Sequence, residues 1–349
     1  IVYDSASYII VHLKKDDSTY TPMKINVSED VYVEELVDVD NDGDIDISAH
    51  KKHSNYNNRR RTFQLINSGT ASSWTTNELL DWGWPSRLKY ADIDNDGNLD
   101  FVFIQGAQIY AFKQSGNSNS YSQSWFLNLT YVLAMNYLDI KDINNDGFLD
   151  LVTGGVDKVA WFENDGTGDF EYPKNISSNF SSIQDISIED LDGDNDYDII
   201  VVNQNKISWL ENNGSQSFTE KVIKENFNSY FHSAADGDGD GDIDILANGP
   251  VFFENNGEGT FTEKVIDSGN LDGIFADINQ DGNTDILGIN SSLKWYETNT
   301  EYTLTLPLDG PGSGQEIITL SPTLNGIHDA AGNPMSTTQN NNTVQLYDK

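Results

Sequence analysis

The sequence predicts an all-β chain built from repeated four-stranded antiparallel units, and three observations predict it. A nine-residue acidic pattern, D-x-[DN]-x-D-[GN]-x-x-D, occurs six times in the 349 residues, its copies starting 54, 50, 48, 46 and 41 residues apart. An element recurring at intervals of about 40 to 50 residues is the mark of a repeat architecture. Behind the copies stand short apolar runs such as Phe101-Val102-Phe103, Leu151-Val152 and Ile199-Ile200-Val201-Val202, with the length and composition of buried strands. Almost no segment shows the apolar period of a helix.

The chain opens with IVYDSASYIIVHLKKDDSTYTPMKI (Ile1 to Ile25), which aligns with the stretch behind an acidic loop elsewhere, IIVVNQNKISWLENNGSQSFTEKVI (Ile199 to Ile223). Residues 1–28 are therefore expected to be the later strands of a unit whose own loop is absent. On that reading the sequence is a fragment or processed part of a longer secreted protein. Six units come after it, each in one order: a short apolar strand, the acidic loop, a second strand, a third strand with an aromatic near its end, a polar turn and a fourth strand. The third strands include KVAWFENDG, KISWLENNG, VFFENNG and LKWYETN, and the fourth strands SFTEKVI and TFTEKVI. Trp161, Trp209 and Trp295 recur at matched positions and are expected to be core anchors. After about Thr300 the repeat stops, and residues 301–349 read as alternating strands with Gly, Asn and Pro turns.

The chemistry of the chain is concentrated in the acidic loops. Their positions 1, 3, 5, 7 and 9 carry Asp38, Asp40, Asp42, Asp44 and Asp46 in the first copy and Asp92, Asp94, Asp96, Asn98 and Asp100 in the second. The third carries Asp142, Asn144, Asp146, Phe148 and Asp150, and the fourth Asp190, Asp192, Asp194, Asp196 and Asp198. The fifth carries Asp236, Asp238, Asp240, Asp242 and Asp244, and the sixth Asp277, Asn279, Asp281, Asn283 and Asp285. Positions 1, 3, 5 and 9 alone hold 22 of the 56 Asp and Glu residues, so most of the acidic excess is motif. Carboxylates this crowded repel one another unless a hard cation lies between them, and oxygen donors at variable spacing suit Ca²⁺ better than the compact octahedron of Mg²⁺. About six calcium sites are expected. Positions 1, 3 and 5 point inward, position 7 offers its backbone carbonyl, position 9 closes the loop, and Gly or Asn at position 6 permits the positive φ of a sharp turn. An EF-hand would need a Glu at position 12 and a helix beyond; position 12 is instead Ala49, Phe103, Thr153, Val201, Ala247 and Gly288.

Loops of this form joined to WFEN-type third strands resemble the FG-GAP or VCBS repeats of calcium-binding β-propellers, which are related to the head of integrin α-subunits. The resemblance covers roughly residues 1–300. It implies a β-propeller in which each loop joins the first two strands of a blade, with seven blades in all: six full and one partial. It places side-chain ligands at Asp38, Asp40, Asp42 and Asp46 and their equivalents. Asn144 and Asn279 replace Asp at position 3, so the third and sixth loops are expected to bind more weakly. The DAAGN turn from Asp329 to Asn333 makes residues 301–349 resemble the closing half of a bacterial Ig-like sandwich. Two alternatives stand there: strands that close the propeller, with EYTLTL (Glu301 to Leu306) completing the sixth blade, or strand edges completed by another chain.

Composition narrows the function. With 20 Lys and Arg against 56 Asp and Glu, a net charge of −36, the chain lacks the basic face that nucleic acid or an anionic membrane requires. No apolar run approaches a membrane span. The absence of cysteine removes disulfides, thiolate metal sites and cysteine nucleophiles. His12, His50, His53, His232 and His328 are scattered, and no nucleophile or phosphate-loop motif stands in context, so no catalytic residue is assigned. Two features depart from the repeat. Lys51, Lys52, Arg59, Arg60 and Arg61 flank an excursion in the first unit, and Trp74, Trp82 and Trp84 fall in the connection to the second. They read either as a site for a sulfated or uronic polysaccharide, or as a solvated charge run and a hydrophobic cap. The expected function is a calcium-stabilised, secreted or surface-borne module for adhesion or polysaccharide recognition on a bacterial surface. The alternatives are a subunit of an extracellular fibre joined through strand edges, and a polysaccharide lyase or hydrolase on the same scaffold.

Overall fold

The computed structural model describes residues 2–5, 8–14, 20–26, 31–52, 60–68, 73–81, 86–116, 120–128, 135–177, 179–227, 231–247, 251–265, 272–276, 284–289, 293–297, 316–319 and 343–346. Every regular element among them is a strand, so the chain is all-β, and none of them is a helix long and apolar enough to cross a membrane. Five four-stranded antiparallel sheets succeed one another, spanning 31–80, 86–128, 135–177, 183–225 and 231–265, each with its strands in sequence order. They are blades one to five. A three-stranded sheet precedes them (Val2–Ser5, Tyr8–Lys14, Tyr20–Asn26) and another comes after (Asp272–Ala276, Asp285–Ile289, Leu293–Glu297). Glu316–Thr319 and Thr343–Leu346 pair as a separate two-stranded ribbon, while EYTLTL and the DAAGN turn lie outside the described residues.

The first strands, Val31–Val37, Ser86–Ala91, Met135–Lys141, Ile183–Glu189, Phe231–Ala235 and Asp272–Ala276, each pack against the next. They form an inner arc from which the sheets radiate, which is the architecture of a β-propeller. In blades two to five the second strands are buried on both faces: Asp198–Asn203 carries an unbroken apolar run, and every residue in it is buried. Between blades the side chains interdigitate into separate cores. One joins Val152, Trp161, Ile183, Ile186 and Val201; the next joins Ile200, Val202, Trp209, Ile245 and Phe253. Trp161 and Trp209 are 2% and 1% exposed, so both are core anchors, whereas the side chain of Trp295 lies outside the described residues.

Blades three and four approach closely enough to require a missing Cβ between them. A Cβ on Gly154, in the second strand of blade three, would sit 2.8 Å from Cγ2 of Ile186 and 3.0 Å from Cγ2 of Ile183, both stiff, buried side chains of blade four. Gly154→Ala is expected to cost about 1–2 kcal/mol by overpacking. A urea unfolding midpoint equal to that of the parent protein would show that this interface yields.

Candidate metal centre

The five described loops share one backbone. Position 6 is left-handed in four cases, with φ of +94° at Gly43, +88° at Gly97, +92° at Gly147 and +98° at Gly241; Asn195 takes the same role in the fourth loop at +69°. Position 4 is left-handed as well: Asn41, Asn95 and Asn145 lie at +57°, +56° and +57°. The sequence signal for this second turn is the run of Asn and Gly at position 4, which a reading of position 6 alone overlooks. The two reversals curl the chain so that side chains at positions 1, 3 and 5 converge. Position 7 turns its side chain away, with Phe148 over Gly166, Asp196 beside Gly214 and Asp242 beside Gly257.

Position 1 braces the loop. Both oxygens of Asp92 accept backbone N–H groups, from Asp96 at 3.0 Å and Gly97 at 2.9 Å, and Asp38 and Asp142 do the same. Position 9 is a buried clasp. Asp46, Asp100, Asp150, Asp198 and Asp244 are all 0% exposed. Each accepts one N–H from position 2 and one from the end of the third strand; for Asp198 these are Leu191 at 3.0 Å and Asn212 at 2.8 Å. Burial pushes Asp198 up to about 8, Asp100 and Asp150 to about 7, and Asp46 and Asp244 to about 6, against the lowering effect of those hydrogen bonds.

The third-strand residue that meets the clasp fastens neighbouring blades. The Nδ2 of Asn164 donates to the carbonyl of Ile93 at 2.8 Å, Asn212 to Ile143 at 3.2 Å and Asn255 to Leu191 at 2.7 Å, each reaching position 2 of the preceding loop. These are the Asn of WFEN, WLEN and FFEN, visible at a constant offset in the sequence but read there only for its aromatics. The loops are also linked directly. Asn41 Nδ2 donates to Gly97 O at 2.9 Å, Asn95 Nδ2 to Gly147 O at 3.0 Å, and Asn145 Nδ2 to Asn195 O at 3.3 Å.

Carboxylate oxygens of Asp38, Asp40 and Asp42 come within 4.8 Å of one another, as do those of Asp92, Asp94 and Asp96, of Asp190, Asp192 and Asp194, and of Asp236, Asp238 and Asp244. In the third loop Asn144 takes the place of the middle acid and donates to Asp146 Oδ2 at 2.9 Å. Oδ1 of Asp94 and Oδ1 of Asp192 are buried without a hydrogen-bond partner. Burial and the neighbouring Asp194 raise Asp192, and burial with the hydrogen bond to Glu254 pushes Asp238 up to about 6. Hard oxygen donors, orphaned buried lone pairs and the raised acids Asp192 and Asp238 fit a hard divalent cation in these clusters.

The family model for the FG-GAP-like repeat matches residues 142–201 and 190–247, which contain the third, fourth and fifth loops. The chain carries FG-GAP-like repeats. No relative was found among curated proteins. Three solved structures share the propeller fold of these FG-GAP-like blades. A lectin of Agrocybe aegerita, described by its specific recognition of non-reducing terminal N-acetylglucosamine, is 19% identical with a TM-score of 0.65 over 82% of this chain and 83% of its own. BBS1N in complex with ARL6DN is 13% identical with a TM-score of 0.51, covering 76% and 78%. The exotype rhamnogalacturonan lyase YesX is 14% identical with a TM-score of 0.51, covering 84% and 67%.

Of the sixth loop, Asp277, Asn279, Asp281 and Asn283 lie outside the described residues, and Asp285 begins a strand. Lys51 pairs with Arg61 and Lys52 with Arg60 across the hairpin of blade one, so four of the five basic residues meet at its tip; Arg59 lies outside the described residues. Arg61 is partly neutralised by Asp81 at 3.0 Å and Glu78 at 3.6 Å, and Lys51 lies over the Phe63 ring at 5.2 Å. Trp74 is not in a connection, as the sequence suggested. It begins the fourth strand of blade one, Trp74–Leu80, opposite Asn67 at the loop end of the blade, and packs on the core of Val31, Phe63 and Leu65. The apolar face of that strand captured it, far from the basic tip. Trp82 and Trp84 lie outside the described residues.

A charged group missed by the sequence reading lines the inner arc. Glu35 Oε2 accepts the Tyr90 N–H at 3.1 Å, Asp139 Oδ2 accepts the Ile188 N–H at 3.0 Å, and Lys89 Nζ lies 3.8 Å from Asp139 Oδ1. Burial raises Glu35, Asp139 and Glu189 and pushes Asp185 up to about 6, with Lys89, Lys141 and Arg87 opposing. These acids stitch blade one to two and three to four.

Proposed function

We propose that this chain is a calcium-stabilised, seven-bladed propeller that acts outside the cell as a carbohydrate-recognition or adhesion module. The observation that carries the calcium role is the orphaned, buried Oδ1 of Asp192, whose carboxylate clusters with those of Asp190 and Asp194. Asp38, Asp40 and Asp42 and their counterparts would hold the ion, with the position 7 carbonyl and the position 9 clasp completing the set. Calcium supplies the positive charge that lets these acids stand together, which holds the rim of each blade in one shape. Millimolar calcium, as found outside cells, suits loops of this charge count.

Support for carbohydrate comes from the basic tip of blade one on a chain of net charge −36. Like charges directly opposite across a hairpin disfavour one another, and an anionic partner relieves that cost. A lectin that recognises N-acetylglucosamine is built on the same fold, which makes sugars a fitting class of partner. The test is a glycan array that includes sulfated and uronic polysaccharides, read with calcium and with excess chelator. Calcium-dependent binding to an acidic glycan, weakened at least tenfold by Lys51→Glu with Arg61→Glu, is expected. Absence of binding to every sugar in calcium would end the carbohydrate reading and leave the calcium role standing.

A further inference from the structure

In the described blades two to five, the residue just before the inter-blade Asn or Gln of the third strand stands against loop position 3. In blade three this is Glu163, whose Oε1 accepts from Asn144 Nδ2 at 3.1 Å. Glu211 adds its charge to those that raise Asp192 in blade four, and Glu254 shares a hydrogen bond with Asp238 in blade five. Lysines in these three blades reach the Glu: Lys174 pairs with Glu163, Lys221 with Glu211 at 2.5 Å and Lys264 with Glu254 at 2.6 Å. Lys174 and Lys221 also lie over the rings of Trp161 and Trp209, at 4.2 and 4.8 Å.

Blade two reverses the sign. Its equivalent residue is Lys113, with Nζ 3.3 Å from Asp94 Oδ2. The same ammonium donates to the carbonyl of Thr167 in the adjoining turn of blade three, and the lysine stem lies along Gly168. Two fixed acceptors and a packed stem hold one positive charge against the middle acid of the second loop.

We propose that Lys113 is a tethered counter-cation of the second loop, making that site selectively weak for calcium. This rests on the calcium reading above. Loops two and four offer the same acids at positions 1, 3, 5 and 9, so donor count predicts equal sites. The third-strand residue makes them unequal: an incoming Ca²⁺ at loop two meets an ammonium that shares its ligand, and at loop four it meets a further carboxylate. The expected penalty is on the order of 10- to 100-fold in affinity. In exchange the second loop keeps its shape when calcium is scarce.

The test is a calcium titration of the full chain by calorimetry, with bound ions counted by native mass spectrometry, for the parent, Lys113→Met, Lys113→Glu and Lys221→Met. Lys113→Met is expected to tighten one site at least tenfold and to hold one more ion at subsaturating calcium; Lys113→Glu does so further, and Lys221→Met leaves the count unchanged. In excess chelator Lys113→Met is expected to melt below the parent, and in millimolar calcium the deficit disappears. If calcium fills the other loops of the parent but count and affinity are the same in both Lys113 variants, the inference falls alone. If neither parent nor variants bind calcium, the calcium reading falls and takes the inference with it. Lys113→Glu carries the comparison should the Met variant not fold.

Discussion

Chelation is expected to lower the melting temperature of this protein by on the order of 10 °C or more. A site held at 100 times its dissociation constant contributes about 2.7 kcal/mol, and a kcal/mol moves the midpoint of a chain this long by roughly 2 °C, so a few occupied loops suffice. The physical source is repulsion: without the ion, carboxylates of Asp190, Asp192 and Asp194 lie within 4.8 Å of one another with nothing positive between them. The effect should depend on pH. Burial pushes Asp198 to about 8 and Asp100 and Asp150 to about 7, above their unfolded value of 3.8. In the chelated protein the stability these groups contribute is therefore complete below 3.8 and lost as pH rises through 7 to 8. Calcium requires them ionised, so the gap between loaded and chelated melts is expected to be widest near pH 8 and to narrow toward about pH 5. Calorimetric melts at both pH values, with metal content measured on the same samples, decide this; an unchanged melt after proven removal of metal would refute the calcium role.

The second large effect is expected at Asp198. Asp198→Ala removes the acceptor for two buried N–H groups, Leu191 and Asn212, and each orphaned donor costs about 1–3 kcal/mol. The loss is expected to reach about 2–5 kcal/mol, because Asn212 also fastens blade four to blade three through Ile143. Asp194→Ala serves as the comparison. It removes a position 5 carboxylate whose hydrogen bond is local and exposed, so it should weaken calcium binding while leaving the chelated protein nearly as stable as the parent. Chemical denaturation of both variants in chelator separates the roles. Equal losses would mean that position 9 is a ligand like the others and not a clasp.

The loops and strands were legible because they depend on residue type at fixed spacing: Asp at alternate positions, Gly or Asn where φ is positive, β-branched runs where a strand is buried on both faces. The Asn of the third strand was equally visible at its constant offset, but its meaning was not, since only the folded arrangement shows that it crosses to Ile93, Ile143 or Leu191 of another blade. Lys113 was hidden for a related reason. Its sign matters only once the third strand lies against loop position 3. The inner acids Glu35 and Asp139 could not be read at all, because their neighbours Tyr90 and Ile188 are 55 and 49 residues away. Trp74 was misjudged because a tryptophan at a strand start and one in a connection look alike until the strand pairs.

The hydrogen bonds that run from one loop to the next behave as a hoop around a barrel. From blade one to blade four every join is crossed twice, once by the third-strand amide (Gln114, Asn164 or Asn212) and once by an Asn at loop position 4. At the join of blades four and five position 4 is Gly193, which has no side chain to throw across, and Asn255 holds that join by itself among these fasteners. Among the described blades one to five the rim is thus doubly tied as far as blade four and singly tied at the last join, so of these four joins the one at Gly193 has the fewest such staves.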